Sequence, residues 1–236
     1  MIRFGFSLRV TVLLAFAILM TVSMPADAGE PVSQTTTMHT FPDGVPIPDT
    51  SATLTSFRHR ARVEIKTVDE PLSTYTIWVI VFNNPENCVT NPDGEVKCGL
   101  ADLGPDSPAG NSIFWDGGGI SDANGNLMLV SNIREGEIPD GEGQYFWGDG
   151  LLDSMNSEIH VILRTHGPRA RGLVYAQTHS FNGGCSVEPD DGLFACADIQ
   201  AAGFPAAASV VAAAPPANRP VSKLAVSWGR IKKDAK

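Results

Sequence analysis

Apolar and charged residues alternate from Arg60 to Val68. Arg60, Arg62, Glu64 and Lys66 fall on one side, and Ala61, Val63 and Ile65 on the other. A period of two with one polar face predicts a half-buried β-strand. Thr74 to Phe82, TYTIWVIVF, is β-branched or aromatic nearly throughout. Such a run predicts a central strand covered on both faces. Asn83-Asn84-Pro85 ends it, because Pro85 has no N–H to give to a ladder. The same reasoning predicts strands at Ser112–Trp115, Asn126–Ile133, Glu158–Thr165, Leu173–Phe181 and Phe194–Ile199. Asn124-Gly125 between two strand-like runs predicts a hairpin. Gly117-Gly118-Gly119 and Gly183-Gly184 read as tight turns or bulges, since no helix follows to make a phosphate cradle. No stretch before residue 195 sustains an apolar period of 3.6. The class is therefore all-β, a β-sandwich with a β-barrel as the alternative.

The ends of the chain differ in kind from this middle. Arg3 and Arg9 precede the thirteen-residue apolar run Val10–Val22, and Ala26-Asp27-Ala28 supplies a small-residue cleavage site. Charge, a short apolar core and A-x-A predict a signal peptide over 1–28 and a secreted or periplasmic mature chain. Thirteen residues are too few to span ~30 Å of hydrocarbon as a helix. Residues 29–57 are rich in Thr, Ser and Pro and read as an extended N-terminal arm. The sandwich is assigned to 58–204, and Ala/Pro-rich 205–236 to a C-terminal tail, where Pro215, Pro216 and Pro220 cut any helix short.

Four cysteines fit export. Cys88 and Cys98 bracket one turn-rich loop, Cys185 and Cys196 another. Four cysteines allow three connectivities, of which the two local pairs are preferred because each staples a single loop in an oxidising compartment. Zinc held by all four thiolates is disfavoured, since zinc ribbons use C-x2-4-C spacing.

Charge narrows the partners. The formal net charge is -9, and loss of Arg3, Arg9 and Asp27 with the leader makes it -10. Without a Lys/Arg cluster such a chain is unsuited to nucleic acid, because phosphate affinity comes from cations. An extracellular protein or a carbohydrate is the partner expected. No G-x-S-x-G occurs, so a serine nucleophile finds no support.

Three groups of residues carry candidate chemistry. Glu158, His160, Ile162, Arg164 and His166 share one face of an unbroken strand. If strands 158–165 and 173–181 form a hairpin, His160 faces Thr178 or His179. Glu158, His160 and His179 then make a copper or zinc half-site. The acidic loop Asp140, Glu142, Asp149 and Asp153 surrounds Tyr145, Phe146 and Trp147. Its carboxylates suit calcium, as does Asp122-Ala123-Asn124-Gly125-Asn126, although neither matches an EF-hand. Tyr145, Trp147 and Asp149 are the loop-binding candidates, with aromatic faces suited to a sugar ring. A hydrolase would need two such carboxylates about 5–9 Å apart in a pocket.

YTIWVIVFNNPENC (75–88), Cys98, Trp115–Gly119, EIHVILRTHGP (158–168), SFNGGC (180–185), Cys196 and Asp198-Ile199-Gln200 resemble, in order and spacing, an uncharacterised family of exported bacterial β-rich proteins. The shared blocks cover residues 60–204. The resemblance implies two cysteine pairs and an exported β-domain, and brings no activity or cofactor. The E-I-H block is also similar to the H-I-H of chordin-type (CHRD) domains, with Glu158 where those have His. The combined expectation is an exported, non-enzymatic interaction module whose long loops recognise a partner, with the metal site and the hydrolase as alternatives.

Overall fold

The computed structural model describes residues 30–185 and 195–213. Residues 1–29, 186–194 and 214–236, and with them the expected signal peptide, lie outside the described residues. Ten strands build two antiparallel sheets: β1 (Val32–Thr36), β2 (His39–Thr40), β3 (Ser51–Phe57), β4 (Arg60–Val68), β5 (Ser73–Phe82), β6 (Asn111–Ile120), β7 (Asn126–Arg134), β8 (Tyr145–Trp147), β9 (Glu158–Pro168) and β10 (Ala197–Phe204). The smaller sheet has the order β1-β3-β4-β7 and the larger β2-β10-β9-β5-β6-β8. Both are open, so the described residues form a sandwich and close no barrel.

Period two explains the smaller sheet. β3, β4 and β7 each bury alternate residues. Ala52, Leu54, Ala61, Val63, Ile65, Leu127, Leu129 and Ile133 point into the core, and the charged residues of β4 face water. β5 has no such alternation, and all ten of its residues are buried. Tyr75, Ile77, Val79 and Val81 pack toward the smaller sheet, among Phe114, Ile159, Val161 and Leu163. Trp78, Ile80 and Phe82 belong to a second cluster, with Cys88, Cys98, Ala109, Ile162 and Ala201. Burial of each large apolar side chain stabilises the sandwich by roughly 1.5–3 kcal/mol. The second cluster exists because the loops after β5, β7 and β9 fold over the outer face of the larger sheet.

Four expectations are corrected. Residues 29–57 are not an arm: β1 and β3 pair in the smaller sheet, and β2 joins β10 in the larger. Period two is present there, but in Thr and Ser, whose partners across the ladder are hydroxyls, as in Thr35 with Thr53. Asn124-Gly125 does not close a hairpin, since β6 and β7 lie in opposite sheets. The turn passes between sheets because Asp122 accepts from Asn124 N–H (2.8 Å) and Asn126 N–H (2.9 Å), while Gly125 takes a φ of 83°. Segment 173–181 is not a strand. It carries helix α1 (Val174–His179), and β10 occupies the edge of β9 that the hairpin would need. Where the C-terminal tail was expected, Ala207–Ala213 forms helix α2. The glycine run behaves as expected in one respect: Asp116 and Gly117 form a bulge between the Trp78–Trp115 and Thr76–Gly118 pairs. A Cβ on Gly118 would collide with the Thr178 carbonyl, so the glycine lets α1 sit against β6.

Candidate functional site

The outer face of β9 carries a buried polar row. Glu158, His160, Arg164 and His166 are each at most 8 % exposed. They share a face as the even spacing predicts. Glu158 meets the first loop: its carboxylate accepts from Lys97 N–H (2.8 Å), Cys98 N–H (2.8 Å) and His160 Nε2–H (2.7 Å). His160 pairs across the sheet with Ile80 and Gly203. The absent side chain at Gly203 leaves room for the imidazole, since a Cβ there would lie 3.3 Å from it.

Disulfides join Cys88 to Cys98 and Cys185 to Cys196, the two local pairs. The first is buried within the second cluster and braced by Asp102, whose carboxylate accepts from Val89 N–H (2.6 Å) and Gly99 N–H (2.9 Å). The second is half-buried beside His166.

His166 sits in a chain of hydrogen bonds. Trp78 Nε1–H donates to Thr76 Oγ1 (3.0 Å), and Thr76 meets His166 Nε2 (2.9 Å). His166 Nδ1 faces the Gly183 carbonyl (2.9 Å) and both sulfurs of the second disulfide. Burial pushes its pKa down to about 4, partly offset by the Gly183 carbonyl, so the ring is neutral near pH 7. Arg164 donates to Asp198 (2.7 Å) and to the Phe181 carbonyl (2.8 Å), with its guanidinium 3.8 Å over the Phe181 ring.

The predicted metal ligands do not converge. Glu158 and His160 touch, but His179 lies on α1 with its ring stacked on Trp115 (5.2 Å) and Tyr175 (4.1 Å). Its Nδ1 is within 3.0 Å of the Tyr175 carbonyl. The β9–β10 pairing gives His160 a glycine as its neighbour where the hairpin would have given His179. Nor do the acidic residues gather. Asp140, Glu142 and Asp149 are exposed. Asp153 accepts from Met155 and Asn156 N–H (2.9 and 3.1 Å), and Asp122 is committed to its turn. Among the described residues, the one group of three His, Cys, Asp or Glu whose ligand atoms come within 4.8 Å of one another is His166, Cys185 and Cys196.

The loop-binding candidates are better placed. Tyr145 (36 % exposed) and Phe146 (44 %) lie on short strand β8, and Trp147 Nε1–H donates to Asn111 Oδ1 (2.6 Å). Phe146 packs edge-on against Trp78 (5.3 Å) and Phe181 (4.9 Å). Gln144 ties this loop to α1, donating to the His179 carbonyl (2.6 Å) while its own carbonyl accepts from Trp115 N–H (2.8 Å). The loop and α1 thus present exposed rings side by side: Tyr145 and Phe146 on β8, and the stack Trp115–His179–Tyr175, in which Tyr175 is 74 % exposed. Sequence reading missed Tyr175 and Trp115, because only helix α1 brings them together. A shallow cavity elsewhere is lined by Phe57, Arg58, His59, Arg60 and Arg134 with Glu30 and Pro31, and includes none of the predicted residues.

One half-buried acid lies away from this face. Asp116, in the β6 bulge, accepts from the Ser131 hydroxyl of β7, and burial raises its pKa from 3.8 to about 7. The folded chain therefore holds a proton that the unfolded chain releases near pH 4. Stability from this group is full below the unfolded value and is lost as pH rises through about 7. Asp116→Asn removes that dependence. Its stability relative to the parent, from urea unfolding, is expected to improve by up to about 4 kcal/mol between acid and mildly alkaline buffer. An equal offset at every pH contradicts the assignment.

The fold and the covered face define a class: a two-sheet antiparallel sandwich whose larger sheet bears a loop layer clamped by two disulfides. Compared with family models, curated proteins and solved structures, the chain matches none. No helix among the described residues is long and apolar enough to cross a membrane.

Proposed function

We propose that this chain is an exported, non-enzymatic binding module, and that the aromatic surface around Tyr175 and Phe146 takes a carbohydrate. The observation that carries the reading is the ring stack Trp115–His179–Tyr175, held from behind and open in front. Trp115 is fixed by Nε1–H donation to the Thr178 carbonyl (3.0 Å), and His179 stacks on both neighbours. Tyr175 ends the stack with much of its ring in water. A preformed aromatic plane loses little conformational entropy on binding and suits the C–H face of a pyranose. Asp140, Glu142 and Asp149 on the adjoining loop provide acceptors for sugar hydroxyls. Exposed apolar side chains gathered on a rigid scaffold mark interaction sites.

The test is co-sedimentation of the purified protein with insoluble peptidoglycan, cellulose and chitin. Retention on at least one is expected. The double variant Tyr175→Ala/Phe146→Ala is expected to weaken that retention about tenfold or more, as loss of aromatic anchors does. Failure of the parent to bind any of the three overturns the reading, as does equal retention of the variant.

A further inference from the structure

The two disulfides differ in surroundings. Cys88 and Cys98 are 4 % and 5 % exposed within an apolar cluster. Cys185 and Cys196 are half-buried, and His166 Nδ1 stands 3.5 Å from one sulfur and 3.3 Å from the other. His166 is itself fully buried and fixed by Thr76 at Nε2 and Gly183 at Nδ1.

These distances have a chemical meaning. In a tetrahedral zinc centre, Zn–S near 2.3 Å and Zn–N near 2.0–2.1 Å put nitrogen and sulfur about 3.6 Å apart, and two sulfurs about 3.8 Å apart. Both nitrogen–sulfur separations are therefore already close to those of a shared metal. The sulfurs must part, which cleavage of their bond permits, and Nδ1 must give up its bond to the Gly183 carbonyl.

We propose that reduction of the Cys185–Cys196 bond converts His166, Cys185 and Cys196 into a binding site for one soft or borderline cation of the Zn2+ type. The disulfide form is the closed state and the dithiol form the binding state. A dithiol reductant supplies two electrons and two protons, is itself oxidised to a disulfide, and leaves two thiols. Zn2+ then displaces both thiol protons and takes the thiolates as ligands. In the disulfide form Nδ1–H donates to the Gly183 carbonyl (2.9 Å) and Nε2 accepts from Thr76 Oγ1–H (2.9 Å). On metal binding the ring gives up its Nδ1 proton and takes one at Nε2, facing Thr76 Oγ1, so it stays neutral and exchanges its Gly183 bond for the metal. Three protein ligands leave the fourth position to water, as in an open zinc site. This site is independent of the carbohydrate surface, and neither proposal needs the other.

The test treats the protein with a tertiary phosphine, which becomes the phosphine oxide by taking oxygen from water. Alkylation and mass spectrometry then identify the opened cysteines. Cys185 and Cys196 are expected to react first. After equimolar Zn2+ and gel filtration, elemental analysis is expected to find one zinc per reduced chain and essentially none per oxidised chain. His166→Ala is expected to weaken zinc about 10–100-fold in competition with a chromophoric chelator. His166→Asn, a milder change at a buried position, serves if the alanine variant loses its near-UV circular dichroism. Co2+ in place of Zn2+ is expected to give a thiolate charge-transfer band that is lost in Cys185→Ser/Cys196→Ser. Resistance to the phosphine, absence of zinc from the reduced chain, unchanged affinity in the His166 variant, or retention of zinc by the double serine variant each overturns the proposal.

Discussion

Glu158→Ala is expected to destabilise the fold by about 3–5 kcal/mol, since it leaves three buried hydrogen-bond donors without their acceptor, each worth roughly 1–3 kcal/mol. Glu158 is 1 % exposed, and its two oxygens serve three donors: Lys97 N–H, Cys98 N–H and His160 Nε2–H. Two of these belong to the backbone of the first disulfide loop and the third to a ring with no exposed surface. Truncation strands all three in a place where the loop layer excludes water. Glu158→Gln keeps the shape and one acceptor oxygen, and is expected to cost about 1–3 kcal/mol. Urea unfolding of the three proteins checks the order. Amide exchange at Lys97 and Cys98 checks the mechanism, because both N–H groups lose protection in the alanine variant before global unfolding. A loss below 1 kcal/mol in Glu158→Ala would mean that water replaces the carboxylate.

Trp78→Ala is expected to cost about 3–5 kcal/mol, as for large aromatic truncations in packed cores. Trp78 lies mid-strand on β5, is 2 % exposed and sits on the face away from the smaller sheet. Phe146 and Phe181 pack edge-on against it at 5.3 and 4.9 Å, one from each of two covering loops. Its Nε1–H donates to Thr76 Oγ1, which in turn meets His166. Removing the indole therefore opens a cavity, loosens Phe146 in the proposed binding surface, and leaves the Thr76 hydroxyl with one partner fewer. Urea denaturation gives the stability loss. A loss well below 3 kcal/mol would mean that Phe146 and Phe181 collapse into the space.

Reading the sequence succeeded where a single strand decides its own environment. β5 is apolar on both sides and is central. β4 alternates and is half-buried. The shared face of Glu158, His160, Arg164 and His166 follows from strand geometry alone, whatever the partners of β9. The two cysteine pairs follow from short loops. What failed depends on choices between distant segments. The apposition of His160 and His179 needed a hairpin, but β10, rich in Ala and Gly, fits the edge of β9 and lets the imidazole lie over its backbone. Leu173–Phe181 is too short for periodicity to separate helix from strand. Its fate is set by contacts: Thr178 and Ser180 hydroxyls bond to carbonyls one helical turn back, and Gly118 admits the helix against β6. Thr-rich β1 and β3 were missed because hydroxyl pairs, not apolar side chains, fill one side of them. The grouping of His166 with Cys185 and Cys196 was invisible for a related reason: it depends on how the chain returns after α1, which no local pattern encodes.

The larger sheet ends on one side in a two-residue strand, β2, and on the other in the three-residue β8. Neither offers a run of free amides and carbonyls long enough to seed the addition of a neighbouring chain, which is the common route by which open sheets polymerise. Gly148 marks the end of β8: its φ of 99° and the Ser112 hydroxyl and Asn111 carbonyl that a Cβ would meet both stop the strand there.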